Sequence, residues 1–338
     1  MISVIMCVFN GEAYVENAIR SICNQTYKDF EFIIIDDGST DNSLSIIREC
    51  MKNDSRIVLV TNKHEGIVYS ANLGIDRARG EFIARMDSDD IAHPLRFEME
   101  HHVLEKKPQI GVVSTQGFYV YNYEKIKYIK RPIHSDEIAY SLISNNKIIN
   151  SSTMFRKELI QNKAYSYEFN LMEDYYFWVS LIGKTQFYTI PIPLVLRNKR
   201  LDSVTGFYTD NTSEVLLQTK RIQTLALQKN NIKPPLDLDS FSSITRRLYS
   251  KDTNINKAFI SYLFVLKQMP SKYRNILRTD FYESLFTYIK TNKQVMHFND
   301  LQFGIMIKCV FFEILSNLYS IIKTRAFFKY LKDFKEIE

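Results

Sequence analysis

The hydrophobic positions of the first 120 residues follow two alternating rhythms. Dense apolar runs stand at 2–9 (ISVIMCVF), 30–36 (FEFIIID), 56–61 (RIVLVT), 81–87 (EFIARMD) and 110–115 (IGVVST). Each is short, and turn residues or charges bound it, which predicts strands buried on both faces. Between them apolar residues recur every three or four positions: Val15, Ala18, Ile19 and Ile22 within 13–24, then Leu44, Ile46, Ile47 and Cys50, then the segment 67–78. That spacing predicts helices with one covered face. Ser39, Thr40 or Asp41 can cap the second helix, and Pro94 stands where the first turn of another tolerates proline. Strand and helix in strict alternation predict an α/β fold with a mostly parallel sheet, helices lying on both faces.

In such a sheet ligands gather at the carboxyl ends of the strands. The alternation therefore sets Asn10, Asp36, Asp37, Asp87, Asp89 and Asp90 along one rim. Burying even one carboxylate without a partner is costly. Two readings stay open from spacing alone. The acids are solvated turn residues at helix starts, where negative charge is favourable, or a cation sits among them. Neither GxGxxG nor GxxxxGK[ST] follows the first strand, so a bound diphosphate needs another neutralising device. A divalent metal is one, since Mg²⁺ and Mn²⁺ take hard oxygen ligands and bridge phosphate oxygens. An EF-hand does not fit, because both acidic clusters follow strands.

Beyond residue 120 the pattern loosens. INSSTMFR (149–156) and FYTIPIPLVLRNKR (187–200) suggest strands, and MEDYYFWVSLI (172–182) a helix. After about 211 the chain reads as amphipathic helices interrupted by Pro234-Pro235 and Pro270, which places a domain boundary near 210. The expected organisation is a catalytic domain over 1–210, with halves 1–115 and 116–210, and a helical region over 211–338. With 45% hydrophobic and 24% charged residues, the composition is that of a folded protein. A net charge of +6 suits anionic lipid or phosphorylated ligands, and no arginine-rich run or zinc-finger spacing suggests nucleic acid. Cys7, Cys23, Cys50 and Cys309 form no CxxC pair, as expected of reduced thiols in the cytoplasm. The apolar N-terminus has no basic region before it and is expected to be a strand, not a signal peptide.

Several ordered motifs carry a resemblance. VIMCVFNGEAYVENAIRSICNQTYKDFEFIIIDDGSTDNS resembles the opening of family-2 glycosyltransferases, inverting enzymes with the Rossmann-like GT-A fold. GIVYSANLGIDRARGEFIARMDSDDIAHPLRFE is similar to the family's next segment, which holds its DxD motif, and SSTMFRKELI and EDYYFWVSL continue the likeness to about 205. The resemblance implies that Phe9 lies against the nucleotide base with Asn10 beside it, and that Asp37 contacts the base next to Asp36. Asp87 and Asp89 become the DxD pair, Asp89 the direct metal ligand and Asp87 nearer the ribose, with Asp90 behind them. Asp174, after Glu173, becomes the catalytic base. The implied cofactor is Mn²⁺ or Mg²⁺, and the implied donor is a nucleoside-diphosphate sugar, UDP-linked by family frequency.

Each role has a structural rival: Phe9 as core, Asp36 as a turn cap, Glu173-Asp174 as an acidic helix start. Arg77 and Arg79 are placed to reach phosphate or simply to end a helix in solvent. The chain also departs from the family pattern. In LRNKRLDSVTG (196–206), Arg197, Ser203 and Thr205 fit, but Lys199 replaces a common histidine and can meet the diphosphate only as a point charge. Asn150 stands where histidine is also frequent. The segment 303–335, apolar with basic residues toward its end, is broken by Lys308, Glu313 and Asn317 and is not expected to span a membrane. It reads as a helix on an anionic membrane surface, where a lipid-linked glycan acceptor would lie, or as one packed on this domain or a second subunit. A sugar-nucleotide nucleotidyltransferase and an acidic-pocket receiver module remain as rival functions.

Overall fold

The computed structural model describes residues 1–121, 125–198, 212–246 and 255–291. The alternation read from the sequence is present: β1 (Ile2–Val8), α1 (Val15–Cys23), β2 (Phe30–Asp36), α2 (Ser43–Asn53), β3 (Ile57–Thr61), α3 (Ile67–Arg77) and β4 (Phe82–Asp87). Then come β5 (Ile91–Ala92), α4 (Arg96–Lys106), β6 (Ile110–Tyr121), β7 (Lys125–Ile129), α5 (Ser135–Ser141), β8 (Met154–Arg156), α6 (Glu173–Ser180) and β9 (Gln186–Asn198). Four further helices follow: α7 (Thr212–Lys229), α8 (Leu238–Arg246), α9 (Ile255–Gln268) and α10 (Arg274–Thr291). Among the described residues, no helix is long and apolar enough to cross a membrane. The segment 303–335 lies outside the described residues.

Along the sheet the strands run β3-β2-β1-β4-β8-β6-β9-β5. β1 is parallel to β2 and β4, and β2 to β3. Past β4 the sheet turns mixed. β8 is antiparallel to both β4 and β6, while β9 is parallel to β6 and antiparallel to β5. The run 110–115 thus extends to Tyr121 and does not neighbour β4, because the short β8 lies between them. Only three residues of 149–156 are strand, since Asn150–Ser152 form a 3₁₀ turn first. Pro193 stands opposite Gln116 where the β6–β9 register shifts, the place a strand proline tolerates.

Period-two alternation sorts the core. Ile2, Val4, Met6 and Val8 of β1, Phe32 and Ile34 of β2, and Phe82, Ala84 and Met86 of β4 join Val15, Ala18, Ile19 and Ile22 of α1 and Phe97 and Leu104 of α4 in one buried cluster. The opposite face of β1 and β2 meets α3, and a Cβ on Gly74 would come within 2.6 Å of Ile5. Two compact units divide the chain: one holds the described residues of 1–125, 129–138 and 147–201, the other those of 126–128, 139–146 and 202–338. The second has its own helical core, with Tyr262 stacked on Phe281 at 4.2 Å and Gln223 bonded to Ser144, Ser242 and Thr245.

A fully buried ion pair braces β4 from behind. The Arg96 guanidinium donates to Glu100 at 3.1 Å and to the carbonyls of Arg85 at 2.9 Å and Thr153 at 3.1 Å, with neither side chain exposed. It thereby ties the strand ending in Asp87 to the turn that leads into β8. Burial pushes the Glu100 carboxyl up to about 7, while Arg96 opposes that rise. Removing the cation strands a buried carboxylate and two carbonyls. Arg96→Met should therefore cost about 3–5 kcal/mol in urea unfolding followed by the fluorescence of buried Trp178. A loss below about 1 kcal/mol would deny the pair its bracing role.

Candidate active site

The carboxyl ends of β1, β2 and β4 lie side by side. Val8 is in register with Asp36, and Cys7 with Asp87. Phe9 leaves β1 half-exposed at 46% and stacks on His64 at 3.9 Å, so it is not core. Asn10 adopts φ +49, its N–H donates to Ser39 Oγ, and its Oδ1 accepts the Thr40 N–H at 2.8 Å. Ser43 and Asp41 extend this lacing between the two loops by accepting the N–H groups of Gly11 and Glu12. Asp41 also accepts the Ser43 N–H at 2.9 Å, so it caps α2 from two positions upstream. Gly38 holds φ +78, and a Cβ there would lie 2.8 Å from the His64 nitrogen. Only glycine suits that turn.

Asp37 is buried and already occupied. It accepts the N–H of Glu65 at 3.0 Å and of Gly66 at 2.9 Å, and the Ser70 hydroxyl at 2.8 Å. Gly66 precedes α3 with no side chain to cap it, so β2 supplies the cap and a negative charge at the helix start. His64, at φ +58, has Nδ1 3.5 Å from Asp37 Oδ2, the oxygen that also accepts the Gly66 N–H. Asp36 is also buried. Its Oδ2 accepts the Ser39 N–H at 3.3 Å, as a turn cap would, but its Oδ1 has no partner.

On β4, Asp87 accepts the Asn150 amide at 2.9 Å. Asp89 lies half-buried in the following turn. Asp90 is buried, accepting the Ser151 hydroxyl and the Asn198 N–H at 3.0 Å, with Arg197 at 3.6 Å. Burial pushes Asp90 up; Arg197 opposes, and Asp87 and Asp89 add to the rise. Glu173 and Asp174 open α6, both half-buried, and burial followed by Asp174 pushes Glu173 up while Arg85 pulls it down. Burial works against the Arg197 charge, yet Asp90, Tyr119, Asp87 and Asp174 hold it protonated. Asp87, Asp90 and Asp174 therefore act on one guanidinium, and Asp37 and Asp87 both act on Cys7. Cys7, Cys23 and Cys50 are free, half-buried thiols.

Lys199, Ser203 and Thr205 lie outside the described residues. Arg79 is not at the rim: it donates to Glu31 at 2.9 Å, and Glu31 also accepts the Ser3 hydroxyl at 2.6 Å, both near the amino ends of their strands. The phosphate reading of Arg79 is therefore corrected to a strut. Sequence reasoning missed His64, Ser151, Arg85 and Tyr165. His64 and Ser151 leave no periodic signal, whereas Arg85 shows as a charge inside an apolar strand. Among the described residues, no three His, Cys, Asp or Glu side chains form a ready metal cage. Hard carboxylate oxygens at Asp87 and Asp89, with an unpartnered one at Asp36, still suit an ion that takes one or two carboxylates and completes its shell with phosphate and water.

This arrangement matches a known family. The family described as Glycosyl transferase family 2 matches residues 3–166. An uncharacterized glycosyltransferase of Haemophilus influenzae is 32% identical over 292 residues, 81% of this chain and 87% of that protein. The chain belongs to glycosyltransferase family 2. A UDP-Glc:alpha-D-GlcNAc-diphosphoundecaprenol beta-1,3-glucosyltransferase, WfgD of Escherichia coli, is 30% identical over 205 residues, 60% of this chain and 77% of its own length. The S. aureus TarS 1-349 structure in complex with UDP-GlcNAc shares the fold, with a TM-score of 0.57 at 15% identity over 86% of this chain and 87% of TarS. The fold is GT-A.

Ser151 links two of the rim acids, since its Oγ accepts the Asp87 N–H at 3.3 Å and donates to Asp90. Ser151→Ala removes the acceptor of the Asp87 N–H and one of the donors to Asp90, which keeps Asn198 and Arg197. It should lower stability by about 1–3 kcal/mol in thermal unfolding, and no change would mean that other contacts hold the turn.

Proposed function

We propose that this glycosyltransferase moves a hexose or N-acetylhexosamine from a nucleoside-diphosphate sugar, UDP-linked, to a hydroxyl of a lipid-linked glycan during surface-polysaccharide assembly. The carrying observation is the shared neighbourhood of the β2 and β4 carboxylates, the α6 terminus and Arg197. WfgD, named for transfer to a diphosphoundecaprenol-linked sugar, supports the acceptor class. Residues 1–115 take the donor and 116–210 the acceptor. The region 211–338 makes the contact with the inner face of the cell membrane, or with a second copy. No nucleic acid takes part.

In this reading the Phe9 and His64 rings, with Asn10 and Asp37, form the base end of the site, and Asp36 and Lys199 face the donor. Asp89, with Asp87, would hold Mn²⁺ or Mg²⁺, which supplies positive charge to the departing diphosphate. Asp174 takes the proton from the acceptor hydroxyl as the new C1–O bond forms and the bond to the diphosphate breaks. Attack from the face opposite the leaving group inverts the anomeric centre. Base catalysis of this kind contributes about 10²–10⁴ in rate. The crowded acids fit a transferase better than a receiver, which needs no second carboxylate pair on a separate helix.

Asp174→Asn should cut transfer by at least about 100-fold while the UDP dissociation constant stays within about threefold. Lost UDP binding in that variant would refute the base role. EDTA should abolish transfer and added Mn²⁺ restore it; turnover unaffected by EDTA would remove the metal from the reading. A binding screen that includes GDP-sugars identifies the nucleotide.

A further inference from the structure

We propose that Arg85 is a positioning residue: its buried guanidinium is a counter-charge, additional to Arg197, that holds Asp87 on β4 and the Glu173 end of α6 together and so places Asp174. The inference rests on the reading of Asp174 as the base. It adds a residue that touches neither donor nor acceptor.

The placement follows from strand alternation. Phe82, Ala84 and Met86 point into the cluster shared with α1 and α4, so Ile83, Arg85 and Asp87 point to the other face. That face is the one α6 covers. Ile83 is in register with Phe155, and Phe155 packs on Phe177 at 5.2 Å and Trp178 at 5.8 Å. Arg85 therefore lies two residues before Asp87 on the same face of β4, the face covered by the helix whose first two residues are Glu173 and Asp174.

Its bonding does not account for its burial. Arg85 is 2% exposed, yet among the described residues Nη1 meets the Ile5 carbonyl at 3.4 Å, the guanidinium meets the Cys7 thiol, and Nε has no partner. Arg96, equally buried, has a carboxylate, two carbonyls and a methionine sulfur around it. A buried charge without an ion pair is a rare and costly feature. The guanidinium instead faces the Tyr165 ring at 5.6 Å, and that tyrosine's hydroxyl is also buried and unpartnered. Tyr165 is fixed in place by Asn72, which donates to its carbonyl at 2.8 Å and accepts its N–H at 3.1 Å. Around Arg85 are the Tyr165 phenol and the Cys7 thiol, both pushed up by burial and so uncharged near neutral pH, and the Asp87 carboxylate; Arg85 in turn opposes the rise of Glu173. The arginine is thus answered by the Asp87 carboxylate at a distance. Without it, Glu173 loses the cation that opposes its rise beside Asp174 and Asp87, and Arg197 alone of the two arginines is left to act on Asp87 and Asp174.

The test compares Arg85→Met, Arg85→Lys, and Arg85→Met combined with Glu173→Gln, each as the full chain. Arg85→Met should lower kcat by about 100-fold while metal-free UDP binding, read by calorimetry, changes by less than about threefold. Arg85→Lys keeps the charge and should stay within about tenfold of the parent. Adding Glu173→Gln to Arg85→Met removes one repelling acid and should recover at least about tenfold. A purely packing role predicts no recovery, and that result overturns the proposal, as does a lysine variant no better than methionine. If Arg85→Met folds poorly, melting temperatures decide: the double variant should melt above the single one, and an equal or lower value overturns the proposal. The melting comparison does not depend on turnover, so it stands even if Asp174 proves not to be the base.

Discussion

Acids gathered on one edge of a sheet repel, and the construction of this site follows from how that repulsion is answered. Each carboxylate has a different answer. Asp37 caps α3, whose amino end is partly positive. Asp90 is met by Ser151, the Asn198 N–H and Arg197, and Asp87 by Asn150. Asp36 keeps one oxygen unanswered although it is buried. An ordinary hydrogen bond contributes about 1 kcal/mol net, whereas a buried acceptor left without one costs about 1–3 kcal/mol. The fold therefore holds back a capacity for positive charge at this rim, which is where a cation-bearing ligand would recover it.

β4 joins the parallel part of the sheet to its mixed part. On one side it is parallel to β1, and on the other it is antiparallel to β8. One arginine lies behind the strand and one in front. Arg96 is richly hydrogen-bonded and joins β4 to the turn before β8, while Arg85 meets the Ile5 carbonyl and Cys7 and lies near Asp87. The difference divides their work. The first sets where the strand lies, and the second is left free to act through its charge. The turn at Asn150 and Ser151 converts that strand position into the positions of Asp87 and Asp90.

Much of this was legible in the sequence because it is written in periodicity. Apolar runs and helical spacing placed β1 to β4 and α1 to α3 within a residue or two. The rim acids followed from strand ends. The mixed half was less legible, since β8 is only Met154–Arg156, too short to show a period, and its place between β4 and β6 is a long-range pairing. Spacing alone left the acids' role open, and the motif order of a glycosyltransferase narrowed it. What the sequence could not show were partners distant along the chain: Asp37 capping α3, His64 stacking on Phe9, and Arg79 serving Glu31.

The central claim is that the rim is built around a doubly charged cation bridging Asp89 and a nucleoside diphosphate. Calorimetric titration of UDP into the parent chain and into Asp89→Asn, each with and without Mn²⁺, tests it directly. The account predicts that Mn²⁺ tightens UDP binding to the parent by about tenfold or more and that the variant loses this gain. An equal gain in both chains, or none in the parent, would contradict it.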